Sequence, residues 1–196
     1  MKASLLTRFR SAAAAAIAMA SWGAMADTLT IEQSSNFGTL TLPYTNNFGL
    51  SLAPMAADDT FLSDYGFSIG ANGSLTSAVV TIDLGKTFDI SDMTVSLLQG
   101  PAWAGAVPSD LTAAQIADRD SRIIVTGSGS SMTQTIDEVP LGPGNYVVEI
   151  SGNVTGTSGG TYAGLLNVAA VPEPTGLALA LAGFGLLALT RRRSVR

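Results

Sequence analysis

Neither cysteine nor histidine occurs in the chain, and only three of its ten basic residues lie between positions 27 and 171. Without cysteine, stability has to come from an apolar core and not from disulfide staples. Without either residue there is no thiolate or imidazole metal site, no cysteine nucleophile and no Ser-His-Asp triad. The three basic residues of the body, Lys86, Arg119 and Arg122, face fourteen acidic ones, a net of −11 that the whole-chain value of −5 conceals. A body of that sign repels phosphate backbones, which excludes nucleic acid as a partner, and the acid keeps an exported domain soluble.

What is present begins with two unusual ends. Lys2, Arg8 and Arg10 precede an apolar run from Ala12 to about Trp22, which closes on Ala24-Met25-Ala26. Basic start, short apolar centre and small residues at the flanking positions Ala24 and Ala26 make the layout of a secretory signal peptide over 1–26, cut before Asp27. At the other end, Val171-Pro172-Glu173-Pro174 leads into an uncharged stretch of sixteen residues, 175–190, and then Arg191, Arg192 and Arg193. As a helix those residues span roughly 24 Å against the ~30 Å of a hydrocarbon core, a gap that snorkelling arginines and slight thinning of the bilayer close. The three arginines act as a membrane stop on the cytoplasmic side and leave the body outside. Pro172 and Pro174 keep the chain extended just before the membrane.

The body, 27–170, reads as strands and turns. Thr28 to Ile31 and Gly38 to Leu42 alternate apolar with polar residues, as half-buried strands do. Phe61 to Ile69, Leu75 to Leu84, Thr87 to Ile90, Met93 to Leu98, Arg122 to Thr126, Met132 to Ile136, Tyr146 to Ile150 and Thr161 to Val168 continue the pattern, with a turn at Asn72-Gly73. Strands at this spacing with Gly-rich turns predict an all-β body, an antiparallel β-sandwich of jelly-roll kind. One stretch dissents: Pro108 to Arg122 contains the capping-box spacing Thr112…Gln115 and predicts a short surface helix, whose Asp118, Arg119 and Asp120 form a solvated end.

The C-terminal residues Val171, Pro172, Glu173 and Pro174, followed by an apolar helix and an arginine cluster, resemble the PEP-CTERM sorting signal. The resemblance implies recognition by an exosortase, a membrane-embedded cysteine protease-transpeptidase. It also implies a membrane-anchored intermediate held by one C-terminal helix, and delivery to the cell surface or extracellular matrix. The body is similar to the PEP-CTERM group called FxDxF in its ending from Gly144 to Val168, with a Tyr-x-Gly-x-Leu-x-Val strand at Tyr162, Gly164, Leu166 and Val168. Phe61 and Phe67, by contrast, lie three residues either side of Asp64, a departure from the naming pattern. Nothing in that resemblance gives a residue a catalytic role.

Chemistry in the body is sparse. Phe61, Tyr65 and Phe67 share one face of a strand, which reads as core ahead of a carbohydrate-stacking platform. Asp58, Asp59 and Asp64 are the carboxyls a glycoside hydrolase would pair across a cleft, and equally the acids of an ordinary turn. No catalytic, cofactor or metal residue is assigned, a loop calcium site being the one cation considered. The expectation is a non-enzymatic exported protein of the surface or matrix, associated with exopolysaccharide or biofilm. The alternative is a small carbohydrate-binding or hydrolytic β domain delivered by the same tail.

Overall fold

The computed structural model describes residues 28–56, 59–81 and 85–171, together with Ala182 and Phe184. The signal peptide 1–26 with Ala24 and Ala26, Asp58, the motif residues Pro172, Glu173 and Pro174, the stop Arg191, Arg192 and Arg193, and the span 175–190 apart from two residues lie outside that set. Ala182 and Phe184 are helical, and Phe184 is exposed. Among the described residues no helix is long and apolar enough to cross a membrane.

Among residues 28–171, as far as they are described, eleven strands and one helix build a two-sheet sandwich. β1 (Leu29–Leu40), β3 (Thr60–Ile69), β5 (Ile90–Gln99), β6 (Ser109–Asp110), β7 (Ile123–Thr126) and β10 (Gly144–Val154) form a six-stranded sheet in the order β6-β1-β3-β10-β5-β7. β2 (Tyr44–Leu52), β4 (Gly73–Thr81), β8 (Ser128–Ser130), β9 (Thr133–Leu141) and β11 (Gly160–Ala170) form the second, in the order β2-β11-β4-β9-β8. The expected all-β body is therefore present, but it is not purely antiparallel. β1 and β3 run parallel, with register breaks at Ile31/Gln33 and Asn36/Thr39. The reason is topological: the chain leaves β1 for β2 in the opposite sheet and returns to β3, and two sheet crossings restore the original direction.

Three further readings change. Tyr44–Leu52 is a strand the reading does not include: Tyr44, Phe48, Leu50 and Leu52 alternate, but Asn46, Asn47 and Gly49 are poor strand formers. Asn72-Gly73 lies in an arch that carries the chain from one sheet to the other, so β3 and β4 are not a hairpin. Of Thr87 to Ile90 only Ile90 is in a strand. Asp89 instead clasps the 155–159 loop: its carbonyl accepts from the Thr155 and Gly156 amides and its carboxylate from the Thr155 hydroxyl.

The inward faces of both sheets meet in a core that includes Phe61, Tyr65, Phe67, Leu75, Val79, Val95, Leu97, Ile136, Val148, Ile150, Tyr162 and Leu166. Phe61, Tyr65 and Phe67 are all at most 3% exposed, so the three rings are core anchors and no stacking platform. Tyr65 from one sheet and Tyr162 from the other join hydroxyls at 2.8 Å in the middle of the sandwich. That bond satisfies two buried polar tips which would otherwise each cost about 1–3 kcal/mol. Phe61 stacks on Tyr162 at 5.8 Å and Phe67 on Tyr146 at 5.7 Å, geometry that aromatic quadrupoles favour.

Candidate functional site

The six-stranded sheet is buried on its outer face as well. The chain from Gly100 to Arg122 folds back over it, as a loop, β6 and then α1 (Ala113–Ser121). The helix starts where the sequence places it. The Thr112 hydroxyl accepts from the Gln115 amide at 3.4 Å and the Gln115 side chain accepts from the Thr112 amide at 2.8 Å, a completed capping box. Gly66 lets the loop lie flat on the sheet, since a Cβ there would meet the Ala102 Cβ at 2.7 Å. Beneath this cover Ile31, Leu62, Leu98 and Val147 are buried outside the main core.

Two carboxylates are set into that apolar layer. Asp64 on β3 and Glu149 on β10 are cross-strand partners, 7% and 2% exposed. Side chains directly opposed in this way have Cβ atoms about 4.5–5.5 Å apart, so two like charges are placed side by side. Arg119 of α1 answers them: its Nε donates to both Glu149 oxygens at 2.9 and 2.8 Å, and its Nη2 donates to Oε1 as well. Nη1 donates to the Asp120 carboxylate at 2.6 Å. The Asp118–Asp120 stretch is therefore only partly the solvated end expected of it, because Arg119 turns inward and its side chain is 18% exposed. Asp64 Oδ2 accepts from the Trp103 amide at 3.0 Å, whereas Oδ1 is buried with no hydrogen-bond partner. Arg122 pins the start of the loop by donating to the carbonyls of Gln99 and Pro101 at 2.8 and 2.5 Å.

The electrostatics follow from burial. Desolvation holds the Asp64 carboxyl above the usual range, with the Trp103 amide, Arg122 and Arg119 pulling the other way. Burial also raises Glu149 against the opposing pull of Arg119, and the neighbouring Asp64 adds to the rise.

Between α1 and the sheet a pocket of about 270 Å³ remains, walled by Ile31, Leu98, Leu111 and Ala114 and reached by Asp64, Trp103, Arg119, Arg122 and Glu149. Of the acids considered as a pair, Asp64 is here and Asp59 lies before β3, outside the pocket, while Asp58 is not among the described residues. Glu149 and Trp103 carry no signal in the sequence as site residues, and only the β3–β10 register and the fold-back of 100–122 bring them to Asp64. Among the described residues no group of three or more acidic side chains is placed to hold a metal ion. Val171, the residue after β11, is exposed, and its amide donates to the Asn72 carbonyl at 3.2 Å.

Among solved structures the chain is similar to the pre-peptidase C-terminal domain of collagenase from Bacillus anthracis, at 17% identity and a TM-score of 0.37, over 70% of this chain and 95% of that one. No curated protein matches the chain. The family described as the PEP-CTERM protein-sorting motif matches residues 170–194, beginning on the last residue of β11. The chain thus carries a PEP-CTERM sorting tail, which implies export, a membrane-anchored sorting intermediate and processing by an exosortase.

Proposed function

We propose that this is a non-enzymatic exported protein of the cell surface or extracellular matrix, a β-sandwich delivered by its tail and associated with exopolysaccharide or biofilm. The observation that carries the reading is the sorting motif joined without a linker to the last strand of the sandwich. A signal peptide over 1–26 begins the route, and the helix 175–190 with Arg191, Arg192 and Arg193 holds the intermediate in the membrane. The body groups with FxDxF proteins on its ending from Gly144 to Val168. Two features favour a non-enzyme. The carboxylate pair in the pocket is tied to Arg119 and to the Trp103 amide, and the chain has neither histidine nor cysteine to move a proton near neutral pH. The test replaces Pro172, Glu173 and Pro174 by alanine in a host with an intact exosortase. Loss of release from the membrane fraction is expected, and unchanged processing and release would sink the proposal.

The carbohydrate-binding alternative is favoured by one observation, the pocket beside Trp103 and Asp64. A Trp103→Ala variant that melts like the parent but no longer sediments with the host's polysaccharide would establish it.

A further inference from the structure

The outermost strands are β6 and β7 in one sheet and β2 and β8 in the other, and the short β6, β7 and β8 leave parts of β1, β5 and β9 open beside them. An open margin presents unpaired backbone N–H and C=O groups to any strand that arrives, and proteins blunt such margins with short strands, charge, proline or bulges. Here β6 has two residues, β8 three and β7 four. β2 is different. It runs for nine residues, pairs with β11 on one side without a register break, and contains no charged residue and no proline. Among the described residues no strand pairs with its other side.

The sheet face beside that margin is equally unguarded. Across the strands, Asn47, Leu165, Ala78, Thr135 and Ser128 form one outward row, and Gly49, Ala163, Val80, Thr133 and Ser130 the next. Neither row holds a charge, in a body whose net is −11. The nearest acids on this sheet, Asp137 and Glu138, sit on β9, separated from β2 by β11 and β4. A like-charged copy of the chain is repelled over most of the surface and meets no charge along β2.

We infer that β2 is a docking edge for a second copy of this chain, joined β2 to β2 so that the two five-stranded sheets become one. A two-fold interface sets a strand against itself in the reverse direction, and the backbone hydrogen bonds it forms are those of strand addition. The direction has a consequence. Val168 of β11 pairs with Tyr44, so the tail leaves the sandwich at the Tyr44 end of β2. In the joined pair the two tails depart from opposite ends of a nine-residue strand, about 30 Å apart. Copies standing side by side in one membrane on their tails present β2 in the same direction, and antiparallel joining opens to them once a copy is released. That step rests on the sorting reading; the β2 edge does not.

The test follows the purified full chain in detergent by sedimentation equilibrium and amide hydrogen exchange, over roughly a hundredfold range of concentration. Exchange in β2 should slow as concentration rises, with β8 unchanged. Thr45→Lys combined with Asn47→Lys puts like charges together on one face of the joined strands. It should raise the dissociation constant at least about tenfold, without altering the melt recorded at concentrations too low for association. Ser128→Lys with Ser130→Lys, at the other margin, should leave association as it is. Exchange in β2 that does not depend on concentration overturns the inference, association through the tails included, and so does an equal effect of the two lysine pairs.

Discussion

The outer faces of the two sheets obey the same alternation and end in opposite states. On the six-stranded sheet, β3 and β10 are buried on both sides, and the outward positions hold Leu62, Asp64, Val147 and Glu149 beneath the 100–122 cover. On the five-stranded sheet, β2 and β4 alternate, and their outward positions hold Thr45, Asn47, Thr76 and Val80 in solvent. A strand covered on both faces tends to a continuous apolar run, whereas a strand with one wet face alternates cleanly. The difference shows where this domain has invested polar interactions. The covered face carries a buried ion pair beneath its cover, and the bare face carries small neutral side chains.

The largest effect should come from the core that both sheets share. Phe67→Ala is expected to cost about 3–5 kcal/mol, a fall in melting temperature of roughly 10 °C, read by thermal unfolding. A variant that melts like the parent would mean that the ring is no core anchor. Next is the pair that distinguishes the covered face. Arg119→Ala leaves Glu149 buried without its partner and should cost a comparable ~3–5 kcal/mol.

A smaller effect is expected from Asp64. Burial places the folded pKa of Asp64 and of Glu149 above the unfolded value, so the folded state binds protons more tightly. The stability they contribute is full below the unfolded pKa, near 4, and is lost as pH rises through the folded values. Acidifying from neutral toward that range should therefore raise their contribution. Asp64→Asn should flatten the pH dependence of the melt and raise the midpoint at neutral pH, and an unchanged slope would count against a raised Asp64 pKa in the folded state. The smallest effect belongs to the bare face, where Thr76→Lys should change stability by no more than about 0.5 kcal/mol. A large loss there would mean that something covers the face.

The same contrast explains which parts were legible in the sequence. Phe61, Tyr65 and Phe67 could be placed in the core because a strand puts alternate residues on one side. The helix was legible because Thr112 and Gln115 lie three apart, a purely local signal. The sorting motif was legible because its three parts follow one another along the chain. The site was not, since Arg119 and Glu149 are 30 residues apart and meet only when 100–122 folds over the sheet. Nor was the parallel β1–β3 pairing, which depends on β2, where Asn46, Asn47 and Gly49, poor strand formers, interrupt the alternation of Tyr44, Phe48, Leu50 and Leu52.

The claim at the centre of this account is that Arg119 and Glu149 form one mutually compensated buried pair, each leaving the other's charge uncompensated when it is removed alone. Thermal unfolding of Arg119→Ala beside the double variant Arg119→Met/Glu149→Leu tests it most directly. The account predicts a large loss in the single variant and recovery of most of it in the double, because removing both charges leaves nothing uncompensated. A single variant that melts with the parent, or a double variant no better than the single, would contradict it.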